Sequence, residues 1–563
     1  MWLRASEPVD GDVVRSAAVT DADGVLAQRR LLAERFSVAR VAWSSDGREV
    51  GFAGPIELGV EVGGLAMIDV PDGGHLVVQV RDLRIVELEG LSIDVDVSDV
   101  VPGAGSASVR PRFRSLSGSA VVLGRLDATG FTALAATAPF GELPFRQADS
   151  DEVVAIVDVL DGDAPTVEVG TVAGTSAPAR LRATGFARHT FMCGQSGSGK
   201  TYTTGVLFER LLGATGLPIV VLDPNSDHVH LGSLRDPDDT SPEAQRHRAV
   251  ASGVRVARAR GLDAPYTLCA DFSDLELDVQ ARLLHLDPIR NLDEYAALRR
   301  LAGGLGGTYS ITELAAEAAR RPETTELATR IDNLELSDWK LWRRAGETSI
   351  ASVDVRQARC IVLDLGSLPR AQERSIVALA VLGRRWAERA GRNPVLLAVD
   401  EAHNVFPAAT DDPLLQAAAD LGVLIAGEGR KFGLHLLVAT QRPGKVHPNV
   451  VSQCDNLVLM RMNGAADVEE LTSLFSHVPA ALLQRALGFG LGQALVAGPI
   501  SPVPLLAQIG TRHTPEGGGD VPTTWTTRRD TRPLEDGSAA AGEAQTPDAS
   551  SHTARPRRST PGA

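Results

Sequence analysis

The stretch His189-Thr-Phe-Met-Cys193-Gly194-Gln195-Ser196-Gly197-Ser198-Gly199-Lys200-Thr201 decides the fold. An apolar run leads into Gly-x-x-x-x-Gly-Lys-Thr over 194–201, and a helical pattern follows to about Leu212. Glycines at these places let backbone N–H groups turn inward around phosphate oxygens, and the positive end of the following helix adds to the attraction. Lys200 then neutralises β- and γ-phosphate charge, while the Thr201 hydroxyl coordinates Mg2+. A Gly/Ser turn that matched by accident would need neither the strand before it nor the helix after it. The expectation is an ATP site formed by Gly194, Gln195, Ser196, Gly197, Ser198, Gly199, Lys200 and Thr201.

Its complement is Val395-Leu-Leu-Ala-Val-Asp400-Glu401-Ala-His403, an apolar strand ending in two adjacent carboxylates. Asp400 suits the Mg2+ shell. Glu401 suits activation of the attacking water, which needs a carboxylate just beyond the metal. A merely solvated acidic turn would have to coincide by accident with an independent phosphate loop. Leu434-His-Leu-Leu-Val-Ala-Thr440-Gln441-Arg442-Pro443 is another apolar strand whose polar end falls on the edge where ligands of open α/β sheets sit. Gln441 reads either as a partner of the water or γ-phosphate, or as a strand-to-loop cap. Before that strand, Glu428-Gly-Arg430-Lys431-Phe-Gly433 carries two basic residues, either solvated or acting on a neighbouring subunit's γ-phosphate. Asp223-Pro-Asn-Ser-Asp227-His228-Val-His230 gathers carboxylates and imidazoles. With no third group of matching spacing elsewhere, it reads as a structured loop rather than a metal site.

Working outward, residues from about Arg180 alternate short strands with longer helical patterns, the mark of a parallel sheet wrapped by helices. Strands are expected at His189–Cys193, Pro218–Leu222, Cys360–Leu363, Val395–Val399, Leu434–Ala439, Leu457–Met460 and Ala494–Ala497. The segment 241–348 shows helical spacing at Val279–Leu286, Tyr295–Leu301 and Ile311–Ala319, and reads as a mostly helical insertion. Upstream, β-branched runs such as Leu76–Arg81, Leu91–Val97 and Ala120–Leu123 alternate with turns at Asp72–Gly74 and Pro102–Gly105. They predict a small β-barrel, since closure removes exposed strand edges. The division expected is 1–175 for the β module, 176–513 for the α/β core and 514–563 for a Gly-, Pro-, Ser- and Thr-rich disordered tail.

Composition narrows the function. A chain of 563 residues exceeds one core, and 44% hydrophobic with 23% charged residues is an ordinary globular balance. The net charge of -15 rules out holding nucleic acid by overall positive charge, so any DNA contact must be local. Four dispersed cysteines, Cys193, Cys269, Cys360 and Cys454, form no zinc or disulfide pattern. The first ten residues lack an apolar signal core, and the longest apolar stretch, near Ile376–Gly383, is far short of the roughly 20 residues of a membrane span. A cytoplasmic protein without direct membrane insertion is expected.

At these residues the chain resembles the HerA family of the HerA/FtsK group of P-loop ATPases, over about Gly51–His513. The matching patches are Arg188–Thr201, Val399-Asp-Glu-Ala-His-Asn404, Glu428-Gly-Arg-Lys-Phe-Gly433 and Ala439-Thr-Gln-Arg-Pro443. The last two in this order are more specific than the phosphate loop, which many ATPases share. The resemblance implies a RecA-like ATPase core preceded by a HAS-barrel. It implies a hexameric homo-oligomer with the active site between subunits, in which Arg430, or Arg461 of Leu459-Met-Arg-Met462, is the trans arginine. It also implies double-stranded DNA in a central channel, and a nuclease or anti-phage effector as partner. A scaffold ring that organises such an effector without moving on DNA is the alternative, and a pump similar to FtsK or the type IV secretion ATPases is another. The family's second-strand motif, Asp-Pro-x-Gly-Glu-aromatic, reads here Asp223-Pro-Asn-Ser226-Asp227-His228.

Overall fold

The structure is a computed structural model that describes residues 39–89, 93–96, 106–109, 112–134 and 136–517. Its N-terminal part is built from β1 (Val41–Ser44), β2 (Glu49–Gly54), β3 (Leu65–Asp69), β4 (His75–Glu89), β5 (Ile93–Asp96), β6 (Ser106–Val109), β7 (Arg112–Asp127), β8 (Gly130–Ala133) and β9 (Phe140–Gln147). The order β2-β1-β9-β3-β4-β7 closes through pairing of β2 with β7, giving a six-stranded antiparallel barrel. Alternate residues fill it: Val50 and Phe52 of β2, Ala66 and Ile68 of β3, Val78 and Val80 of β4, and Ala120 and Val122 of β7. Phe52 stacks on Phe145 with centroids 4.5 Å apart. Gly118 has no room for a side chain, since a Cβ there would lie 2.2 Å from the Asp82 carbonyl oxygen, beside the bulge that tightens β4 against β7. Leu91, Ser92, Val97 and the expected turn at Pro102–Gly105 lie outside the described residues.

The second sheet contains β10 (Thr166–Val172), β11 (Pro178–Arg182), β12 (Thr190–Cys193), β13 (Ile219–Asp223), β14 (Val254–Arg258), β15 (Tyr266–Thr267), β16 (Cys360–Asp364), β17 (Val395–Val399), β18 (Leu434–Thr440), β19 (Asn456–Leu459), β20 (Gln493–Ala497) and β21 (Leu505–Ile509). Its order is β11-β10-β21-β20-β19-β12-β18-β17-β13-β16-β14-β15, parallel from β19 to β15 and antiparallel from β11 to β19. All seven expected strands are present with ends shifted by no more than one residue. Two findings correct the expected division. β10 pairs with β21, not with the barrel, so the change of sheet falls between Gln147 and Thr166 rather than at residue 175. The segment 241–348 also carries β14 and β15, which extend the parallel sheet past β16.

The central strands are buried on both faces, as apolar runs without alternation must be in a parallel sheet. On one face Phe191, Leu222, Leu397, Val438 and Leu457 join the helices of 277–333 and the helices Ala371–Ala387 and Pro413–Glu428. On the other, Met192, Val221, Ala398, Leu437 and Val458 meet Val206, Phe208 and Leu211. Each such fully buried Leu, Val or Phe contributes roughly 1.5–3 kcal/mol of transfer free energy, which holds the strand ends at fixed height.

Past β21 the chain does not leave the surface. Arg512 is 1% exposed and Thr514 is 0% exposed. Arg512 donates to the carbonyl oxygens of Thr201 at 3.3 Å and Asp227 at 3.4 Å, and its Nε sits 2.4 Å from where a Cβ on Gly205 would be. Glu209, also buried, accepts from the Thr514 amide and hydroxyl, both at 2.7 Å. Residues 514–517 are therefore packed strap, and the remainder of the expected disordered tail lies outside the described residues. Among the described residues no helix is long and apolar enough to cross a membrane.

Candidate active site

The phosphate loop leaves β12 at the C-terminal edge of the sheet and opens α1 (Lys200–Ala214). Gly197 and Gly199 adopt φ of 72° and 91°, left-handed values that favour glycine and turn the loop back on itself. A Cβ on Gly194 would lie 2.7 Å from the Ser198 hydroxyl, so the loop closes only around a bare backbone there. The loop is tied to the sheet by Gly194 N–H to the Thr440 carbonyl at 3.3 Å and Gln195 N–H to the Arg461 carbonyl at 3.0 Å. The first backbone N–H groups of α1 have no acceptor within the helix, which leaves an anion-binding end facing the loop.

Strand order then brings the other residues to this loop. β18 lies between β12 and β17, so the residue after β18 falls between the loop and the end of β17. Lys200 Nζ contacts Asp400 Oδ1 and lies 3.2 Å from Glu401 Oε1. Gln441 Nε2 donates to Glu401 Oε1 at 2.6 Å, and His403 Nδ1 lies 3.4 Å from Glu401 Oε2. Lys200, Asp400 and Glu401 are all buried. Burial works against the Lys200 charge, but Asp400 and Glu401 outweigh it and hold the ammonium above the ordinary lysine pKa. Asp400 likewise resists burial, because the Lys200 charge holds its pKa below the usual carboxylate value. Glu401 stands at φ 41°, a strained position for a residue with a side chain.

The structure thus brings Thr201, Lys200, Asp400, Glu401 and Gln441 to one edge, and it does not bring Arg430 there. Arg430 is half exposed at the N-terminal end of β18, 3.4 Å from Asp455, on the opposite edge from its own phosphate loop. Arg461 is in the loop's own neighbourhood, donating to the Gly197 carbonyl at 2.9 Å. Arg442 and Lys445 are exposed in the turn after Gln441.

Sequence reasoning missed the company that Asp223 and Asp227 keep. They form one group with Asp400 in which a carboxylate oxygen from each lies within 4.8 Å of the others, because β13 runs beside β17. The third carboxylate that spacing alone could not supply comes from the neighbouring strand. Burial pushes Asp223 up to about 7, against the pull of the His228 and Asp227 backbone N–H groups. Burial followed by the Asp400 charge pushes Asp227 up to about 6. His228, buried against Phe208, is held neutral, its pKa lowered to about 3 by burial. Asp400 Oδ2 has no hydrogen-bond partner among the described residues. With the Thr201 hydroxyl 3.5 Å from Asp227, the donors here are all oxygens, a set that fits Mg2+.

Comparison with known proteins adds to this geometry. Residues 167–340 match the family model described as helicase HerA, central domain. The DNA double-strand break repair helicase HerA of Saccharolobus solfataricus is 22% identical over 404 residues, 66% of this chain and 73% of that protein. The probable DNA double-strand break repair helicase HerA of Methanocaldococcus jannaschii is 31% identical over 128 residues, 23% of this chain and 25% of that protein. Among solved structures, VirB4 of Thermoanaerobacter pseudethanolicus is similar at 17% identity and a TM-score of 0.43, over 62% of this chain and 97% of that one.

Proposed function

We propose, on the premise that this chain is a HerA-like P-loop ATPase, that it hydrolyses ATP in a homo-oligomeric ring, probed as a hexamer, and uses the energy to move on double-stranded DNA. The observation that carries this reading is the convergence of Lys200, Asp400, Glu401 and Gln441 on a glycine-turned loop at one sheet edge. In it, triphosphate oxygens bind to the loop N–H groups of Gly194–Thr201 and draw Lys200 away from the two carboxylates. Thr201 and Asp400 would hold Mg2+, which would supply positive charge to the phosphate oxygens. Glu401, released from Lys200, accepts the proton of the attacking water. Gln441 holds the Glu401 carboxylate from the side, so a shift of the 441–445 turn is felt at the base. Arg430 faces away from its own loop, and its proposed action is on the nucleotide of a neighbouring subunit, stabilising transferred charge as a finger supplied in trans. Mixing Arg430→Ala with Lys200→Ala subunits is expected to restore part of the ATPase activity, because one composite interface keeps both parts. No restoration in rings shown to be mixed removes the trans role.

Double-stranded DNA is proposed to pass through the ring on phosphate contacts from a few inward basic residues, Arg442 and Lys445 among them. A motor that takes the same step on every sequence is served by backbone contacts that repeat at each base pair. The expected result is ATPase stimulation by unrelated duplexes, with log affinity falling by about 0.9 per neutralised phosphate for each unit of log salt. Strong sequence preference would sink phosphate tracking. Absence of both binding and stimulation would leave a scaffold ring for a nuclease or anti-phage effector in its place.

A further inference from the structure

We propose that Asp227, together with Asp223, Asp400 and the Thr201 hydroxyl, holds a hard divalent cation before any nucleotide arrives. The inference deepens the nucleotide-site reading and rests on it for the place of the phosphate loop. A phosphate-loop site with one hydroxyl and one carboxylate must take most of its metal ligands from water and the nucleotide, so its cation comes with the triphosphate. Here three carboxylates meet within 4.8 Å. Lys200 contacts Asp400 and Glu401, and no cation contacts the carboxylate of Asp223 or Asp227 among the described residues.

Two buried groups outside ordinary hydrogen bonding point into the same place. Asp400 Oδ2, on a side chain 2% exposed, has no donor among the described residues. His228 is 0% exposed, neither of its ring nitrogens has a partner among the described residues, and Nε2 stands 3.9 Å from that same Asp400 oxygen, too far for a hydrogen bond. Unpaired polar atoms at such depth cost free energy that a cation would recover.

The carboxylate of Asp227 is also set in position from both ends of its residue. Asp223 accepts from the backbone N–H groups of Asp227 at 3.0 Å and His228 at 2.8 Å, closing the turn. Ser226 takes φ 64° in that turn and donates to Asp364 at 2.6 Å, so the position where the resembled family carries glycine keeps its conformation by a side-chain tie. On the other side the Asp227 carbonyl accepts from Arg512 at 3.4 Å and from the Gly517 amide at 3.0 Å. The departures from the family's second-strand motif thus leave a rigid turn that offers a short carboxylate to the cluster.

Titration of the full chain with Mn2+, followed by loss of the free-ion electron paramagnetic resonance signal without nucleotide, tests this. The expected result is one tight Mn2+ per chain, displaced by Mg2+, and binding at least about ten-fold weaker in Asp227→Asn. Lys200→Ala is expected to keep or tighten Mn2+ binding while binding nucleotide about 10- to 100-fold more weakly, which separates the cation site from the nucleotide reading. A parent chain that takes up no Mn2+ below about 1 mM without nucleotide overturns the proposal. So does a folded Asp227→Asn that binds as the parent does, or a folded Lys200→Ala whose Mn2+ binding falls together with its nucleotide binding.

Discussion

Lys200→Ala is expected to bind ATP about 10- to 100-fold more weakly than the parent chain, because a charge-assisted contact to phosphate is worth roughly 1.5–3 kcal/mol. The substitution acts on the empty site as well. Lys200 is 3% exposed at its side chain and faces two buried carboxylates, so its removal leaves Asp400 and Glu401 without their cation. Breaking a buried pair from one side costs about 3–5 kcal/mol before the carboxylates relax or take up protons. The variant is therefore expected to melt at a lower temperature than the parent and to recover part of that loss in acid, where Asp400, no longer held down by the Lys200 charge, takes up a proton. Displacement of a fluorescent ATP analogue reads the first effect and thermal unfolding at two pH values the second. Undiminished ATP binding by a folded Lys200→Ala would remove the 194–201 loop from its assigned role.

Glu401→Gln is expected to separate binding from chemistry, with ATP affinity within a few-fold of the parent and turnover lower by about 10²–10⁴-fold, the usual worth of a positioned general base. The amide has the same shape, so the strained backbone at φ 41° and the contacts to Gln441 and Lys200 can persist with oxygen and nitrogen suitably turned. What it lacks is a lone pair basic enough to take a proton from water. Single-turnover hydrolysis beside equilibrium ATP binding measures the two separately. Equal turnover in variant and parent would assign the base to another group, and Asp227, which is clustered with the neighbouring Asp400, would be examined next.

The parts of this site legible in the sequence were those written in contiguous residues. Val395–Val399 is buried at every position, and its five apolar residues admit little besides a central strand. The phosphate loop carries Gly197 and Gly199 where φ turns positive. What the sequence did not disclose depends on which strands become neighbours. β10 carries the same alternating pattern as a barrel strand, and only its pairing with β21 assigns it to the other sheet. Asp223 and Asp227 join Asp400 because β13 lies beside β17, a relation no local spacing encodes. The placement of Arg430 and Arg461 at opposite edges likewise follows from strand direction, since one precedes a parallel strand and the other follows one. Arg512 gave no signal at all, because a charged residue after the last apolar run reads as the start of a solvated end, whereas the hydrogen bonds that bury it come from α1 and the 223–228 turn.

Gly205, within α1, looks like a weakness by propensity, costing about 1 kcal/mol against alanine. Its neighbour explains it: with Arg512 Nε 2.4 Å from the missing Cβ, the helix offers a slot that only a bare backbone leaves open. The two positions are sterically coupled although they lie far apart in the chain. A lineage that gains a side chain at 205 has to give up arginine at 512, and with it the bonds that join the strap to Thr201 and Asp227. The constraint runs one way: a smaller residue at 512 leaves Gly205 unaffected, whereas any side chain at 205 sets the distance between helix and strap.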